Sequence, residues 1–95
     1  MHLTIEQRLP TAVEFNYLRK LAGWPTFSEE NINKAFTHVL FSVCVMTESS
    51  TIAGMGRVLG DGVIYLHIQD VIIHPDFQRK GVGKLVMNEL MKFVR

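Results

Sequence analysis

The spacing of apolar residues changes twice along this chain, and the places where it changes limit what the chain can fold into. Up to about Val39 apolar positions recur mostly at helical intervals; from Val39 to Ile73 they come in β-branched and aromatic runs; after Gly81 helical spacing returns. Residues 2–9 alternate weakly, Leu3 and Ile5 against Thr4 and Glu6, and read as a short edge strand. Thr11 and Glu14 have the spacing of a capping box, in which a hydroxyl and a carboxylate satisfy each other's end of the first helical turn. Val13, Tyr17, Leu18 and Leu21 then share a helical face, and Gly23 suits its C-terminal stop. Trp24-Pro25 breaks the chain, because proline moves the residue before it out of helical geometry. Ser28 caps a second, shorter helix with Glu29 and Glu30 in its first turn and Ile32, Ala35, Phe36 and Val39 on its apolar face. Val39–Thr47, Ile52–Leu59 and Val63–Ile73 read as strands, joined by the Glu48–Thr51 turn and a tight Gly60-Asp61-Gly62 hairpin. Pro75 ends the last of them. Val82, Leu85, Val86, Leu90, Phe93 and Val94 trace the stripe of a final helix, with Lys84, Asn88, Lys92 and Arg95 opposite. The expected fold is α/β (α+β): strand, helix, helix, three antiparallel strands, helix, in one layered domain over residues 1–95, without the alternation of a Rossmann fold.

Composition excludes several classes of function. Of 95 residues, 47% are hydrophobic and 20% charged, which describes a globular chain. A net charge of +1 provides no general field for nucleic acid or an anionic membrane, so any anion site must be local. The short basic cluster near Arg79 has no aromatic platform beside it, which argues against nucleic acid as a partner. Cys44 is the single cysteine and sits in the apolar run VLFSVCVM, where a buried inert thiol is the expectation. No apolar run approaches the roughly 18–20 residues of a membrane span, and MHLTIEQRLP lacks the regions of a signal peptide. A cytoplasmic protein with no metal centre and no membrane partner is expected.

Two irregularities point to chemistry. In VIYLHIQDVII the alternation of faces fails at Gln69-Asp70. A one-residue bulge would restore it and free backbone amides for a ligand; burial of Val71–Ile73 on both faces fits the periodicity equally well. The second irregularity is QRKGVGKL, Gln78–Leu85. It is not a P-loop, for which Gln78 and Leu85 are the wrong residues, nor a dinucleotide fingerprint, since Val86 stands where the third glycine belongs. Gly54-Met-Gly56 is a lone G-x-G within a strand and reads as a bend or a close backbone approach. Free amides at the start of a helix, glycines that admit an anion, and Arg79, Lys80 and Lys84 together suit a pyrophosphate. Without an anion, Arg79 and Lys80 oppose the helix dipole by about 0.3–1 kcal/mol each.

IQDVIIHPDFQRKGVGKLVMNELM resembles the Q/R-x-x-G-x-G/A coenzyme-A-binding motif of the GNAT superfamily of N-acetyltransferases, and GMGRVLGDG resembles the strand and hairpin before it in small bacterial members. The resemblance implies a GNAT-like sheet and acetyl transfer from acetyl-CoA to a primary amine of a small molecule or peptide, by direct attack in a ternary complex. It implies that Gln78, Arg79, Lys80, Gly81, Val82, Gly83 and Lys84 hold the pyrophosphate. Val71, Ile72 and Ile73 line the pantetheine arm, with the Ile73 amide polarising the thioester carbonyl. His67 stands where some members carry a glutamate base, and Asp70, beside the bulge, is a second candidate. A lone histidine packed on the sheet and a carboxylate serving the bulge are the plainer alternatives. Arg57 is expected at the strand surface, although it could meet an acidic acceptor; Trp24 and Phe27 fall between the helices that border the acceptor site in relatives. Members continue past this helix with further strands and a helix, so the domain is expected to be C-terminally incomplete, and a homodimer could complete the sheet. The alternative is an inactive acyl-CoA-binding or self-associating module.

Overall fold

The computed structural model describes residues 2–95. Strands β1 (Leu3–Glu6), β2 (Phe41–Thr47), β3 (Ile52–Gly60) and β4 (Leu66–Ile73) form one antiparallel sheet in the order β1-β2-β3-β4. Helices α1 (Ala12–Leu21) and α2 (Glu29–Phe36) cover one face and α3 (Val82–Val94) the other. The element order is the one the apolar spacing predicts. β2 lies between β1 and β3 and is buried from Ser42 to Met46, because both faces of an inner strand meet a helical layer. Its side chains alternate between two cores: Cys44 and Met46 join Phe15, Leu18, Ile32 and Phe36, while Val43 and Val45 join Val82, Val86 and Leu90.

The helix starts follow the capping chemistry. Thr11 Oγ1 accepts from the Glu14 amide, the Glu14 carboxylate accepts from the Thr11 amide, and Ser28 Oγ accepts from the Asn31 amide. The face of α1 differs from the expected one. Phe15, Leu18 and Arg19 are buried, whereas Val13 is 79% exposed and Tyr17 and Leu21 are also exposed. Two contacts outweigh that aliphatic stripe: Phe15 meets Phe36 edge-on with ring centroids 5.1 Å apart, and Arg19 is drawn inward to a carboxylate on β4. β4 is also shorter than predicted and begins at Leu66. Asp61 Oδ1 accepts from the amides of Val63, Ile64 and Tyr65 at 2.8, 2.8 and 3.0 Å, curling these residues into an exposed loop. The same donors, Tyr65 first, hold the Asp61 carboxyl below the usual carboxylate range.

α3 lies close against β3 because two positions on that strand lack side chains. A Cβ at Gly54 would lie 2.9 Å from Ile73 Cδ1 and from Val82 Cγ1, and one at Gly56 would lie 2.8 Å from Leu90 Cδ1 and from Val86 Cγ1. Close approach is therefore what this G-x-G provides. Gly56→Val should lower the unfolding free energy by about 1–3 kcal/mol through overpacking, read from urea denaturation. Cys44 is fully buried, and that burial pushes its thiol up to about 12. It should resist aromatic disulfide reagents at neutral pH and label only at the rate of global opening, checked by following labelling across a urea series.

Candidate functional site

The site begins at a break in the β3–β4 ladder. Met55 pairs with Ile72 and Arg57 with Gln69, so two residues on β4, Asp70 and Val71, oppose Gly56 alone. This is the bulge, and it restores the facing that the sequence loses at Gln69-Asp70. Leu66, Ile68, Val71 and Ile73 pack toward α3, while Ile72 joins the core under α1 and α2. Asp70 adopts a left-handed conformation, φ +53°, which an L side chain takes only against a steric penalty of about 1–2 kcal/mol.

Two guanidinium groups hold Asp70 there. Arg19 Nη1 donates to Oδ1 at 2.8 Å and Arg57 Nε donates to Oδ2 at 2.7 Å, and the carboxylate is 9% exposed. Asp70 thus serves the bulge through ion pairs, not by accepting bulge amides, and removing a proton from a substrate would mean giving up one of them. Arg57 is not a surface arginine; its side chain is 16% exposed, with its Cζ 5.4 and 5.5 Å from the rings of Phe15 and Phe36. Arg19 carries the same grip to the interhelical segment. Its Nε donates to the Pro25 carbonyl at 2.7 Å, and its Cζ lies 5.2 Å from the Trp24 ring and 4.8 Å from Phe27. Sequence reasoning passed over Arg19. The available signal was a position one residue from Leu18 on α1, which turns a cation toward the sheet.

The backbone beyond the bulge has a free edge. His74 N–H donates to the Ala53 carbonyl, so alternation along the strand turns the Ile72 amide toward β3 and those of Val71 and Ile73 outward. The Ile73 carbonyl accepts from Gln78 Nε2 at 3.4 Å. His74 itself is buried: Nδ1 accepts from the Asp76 amide and Nε2 faces Tyr17 Oη at 3.0 Å, fixing the turn that leaves the strand.

That turn delivers Gln78–Gly83 to the start of α3. Among the described residues, the amides of Arg79, Lys80, Gly81, Val82, Gly83 and Lys84 meet no acceptor, and Gly81 caps α3 without a side chain. Arg79 (φ +63°) and Gly81 (φ +83°) are left-handed while Lys80 between them is not, an alternation that gathers amides on a concave side. Nothing lies within 4 Å of a Cβ built on Gly81. α1 and α2 have carboxylates in their first turns; α3 has none, and Arg79, Lys80 and Lys84 make no ion pair among the described residues. These groups fit an anion of pyrophosphate type.

His67 lies on β4 opposite Leu59, exposed, with its ring stacked on Tyr65 at a 6.4 Å centroid distance. By alternation it faces the α1–α2 side, as Arg57 and Asp70 do. The fold therefore gathers the cradle and strand edge at one end of β4, and Asp70 and His67 along it. No cluster of three or more metal-ligating side chains occurs among the described residues, and no helix is long and apolar enough to cross a membrane.

Comparison with known proteins gives a consistent result. Residues 9–95 match the Acetyltransferase (GNAT) family. The chain is 35% identical over 85 residues to the uncharacterized N-acetyltransferase ycf52 of Porphyra purpurea, covering 86% of the chain and 49% of that protein. It is 33% identical over 79 residues to the chloroplastic serotonin N-acetyltransferase 2 of Oryza sativa subsp. japonica, covering 77% and 38% respectively. The chain spans about half the length, or less, of these curated relatives. A probable acetyltransferase from meticillin-resistant Staphylococcus aureus superposes with a TM-score of 0.89 at 29% identity, over 98% of this chain and 69% of that one. Asp70→Ala should cost about 3 kcal/mol by leaving two guanidiniums without their counter-charge, measured by thermal or urea unfolding.

Proposed function

The chain belongs to the Acetyltransferase (GNAT) family, and from that premise we propose that it takes acetyl-CoA as acyl donor and directs the acetyl group to a primary amine. The observation that carries this reading is the run of acceptor-free amides from Arg79 to Lys84 at the start of a helix with unpaired cations. The pyrophosphate lies in that cradle, held by amides at fixed positions and by Arg79, Lys80 and Lys84 as mobile charge partners. Bound there, acetyl-CoA supplies an activated acetyl thioester. The outward amides of Val71 and Ile73 pair with the pantetheine arm as a further strand would, alongside Ile72, and Gln78 releases the Ile73 carbonyl to that arm. The Ile73 N–H donates toward the thioester oxygen and stabilises the charge that develops on it. The acceptor amine attacks the thioester carbonyl directly; the C–N bond forms, the C–S bond breaks, and coenzyme A leaves as a thiolate that takes its proton from solvent. His67 takes the ammonium proton, directly or through water, because an imidazole nitrogen can accept a proton and its ring is open to solvent. Asp70 acts on position instead, by keeping the bulge and its free amides in place.

A second reading, acyl-CoA binding without turnover, is favoured by the open outer edge of β4, which a further segment or a second copy of the chain could cover. Calorimetry with acetyl-CoA and a thiol-release assay over an amine panel test both. Gly81→Val should weaken acetyl-CoA at least tenfold, and affinity in the parent chain should fall as salt is raised. Unchanged affinity in the folded variant counts against the cradle. His67→Ala should slow thiol release while leaving acetyl-CoA affinity within about twofold; thiol release insensitive to this change removes His67 as base, and binding with no release from any amine favours the second reading.

A further inference from the structure

A cavity of about 340 Å³ opens between α1, α2 and β3, walled by Phe15, Phe27, Ile32 and Phe36. Arg57 is its one charged wall among the described residues. The guanidinium reaches Asp70 through Nε only; its two Nη groups donate to no acceptor among the described residues. No buried side-chain nitrogen or oxygen among the described residues lacks a partner, so the free end of this fork is reached by solvent. The two rings at 5.4 and 5.5 Å hold the guanidinium in partly apolar surroundings, where an ionic contact is stronger than in open water. The charge count is also incomplete. Arg19 and Arg57 bring two positive charges against the single negative charge of Asp70, leaving one.

We propose that Arg57 is the anion anchor of the acceptor site, and that the acceptor is an amine carrying a carboxylate on an apolar or aromatic body. The Nη pair is a planar two-donor fork, which matches a carboxylate in a bidentate geometry that lysine does not offer. A monoanion neutralises the leftover charge, whereas a dianionic phosphate ester would reverse it inside an aromatic box. The phenyl walls account for the body, and Arg57 couples the anchor to the bulge through a shared Asp70. Register puts Gln69 opposite Arg57, two residues from His67 on the same face of β4, so the anchor borders the region assigned above to proton removal. The inference rests on the amine-acetylating reading and sharpens it by naming the acceptor's chemistry.

Two amines that differ only in the carboxylate, 3-(aminomethyl)benzoate and benzylamine, provide the test by calorimetry, with and without acetyl-CoA. The carboxylate-bearing amine should bind at least tenfold more tightly, and Arg57→Gln should reduce that preference to less than threefold. Ala35→Phe alters an exposed wall of the cavity away from Asp70, and should weaken the carboxylate-bearing amine by blocking the cavity while leaving acetyl-CoA affinity unchanged. Equal affinity of the two amines for the parent chain overturns the proposal, as do no measurable binding of either and a preference that survives Arg57→Gln. A phosphonate analogue that outbinds the carboxylate overturns the monoanion assignment. The parent-chain comparison decides the matter even if Arg57→Gln does not fold. Acetyl-CoA affinity in the same samples separates the two levels: intact donor binding without carboxylate preference removes the anchor alone, and absent donor binding removes the donor reading.

Discussion

Asp70 sits between two guanidinium groups, and through them one carboxylate joins α1, the interhelical segment, β3 and β4. The left-handed backbone at Asp70 is unfavourable in isolation and persists because the side chain is held from both sides. The bulge then has two consequences. It returns Val71 and Ile73 to the face of α3, closing that core, and it interrupts the ladder just before the outward amides of Val71 and Ile73. A buried ion cluster of this kind contributes little net stability over an apolar substitute, because desolvation offsets most of the attraction. What it supplies is specificity of backbone conformation at a place where a hydrophobic contact could not enforce one.

The two core clusters do different work around that point. The buried members of the cluster under α3 are all aliphatic and none is charged. The cluster under α1 and α2 is richer in aromatic rings and lies beside both arginines. Cations therefore face ring surfaces, not aliphatic carbon, which makes their partial burial tolerable. The pairing of a dry, close-packed side with a polar, aromatic side follows from the sequence of β4, whose residues before the bulge alternate Leu66 and Ile68 with His67 and Gln69.

Elements governed by local chemistry were readable from the sequence. The capping residues Thr11, Glu14 and Ser28 act over three positions, and Gly81 and Pro75 constrain their own backbone, so helix starts and the end of β4 followed directly. Gly54 and Gly56 could be read as a close approach although their partner could not be named. The misplaced face of α1 has another origin. Val13, Tyr17 and Leu21 form a valid stripe, and only the long-range partner of Arg19, 51 residues away, decides which side turns inward. The start of β4 failed for a similar reason: Asp61 gathers three amides at once, and propensity alone gives no weight to that competition. Periodicity left the bulge evenly balanced, and the register of β3 resolves it. At the start of α3 the sequence shows a conflict, basic residues at the positive end of a helix, and the structure supplies no carboxylate in the first turn to relieve it.

The two glycines beneath α3 set a distance by contact alone. Val82, at the first turn of α3, rests on Gly54, while Ile73 packs against the same glycine from β4. The spacing between the anion cradle and the strand edge is thereby fixed by atomic radii, which do not respond to ionic strength or pH. The attraction that Arg79, Lys80 and Lys84 exert on an anion does respond to ionic strength. Attraction and geometry are in this way assigned to separate parts of the chain: added salt alters how strongly the basic residues draw an anion, yet leaves the spacing of helix start and strand edge unchanged.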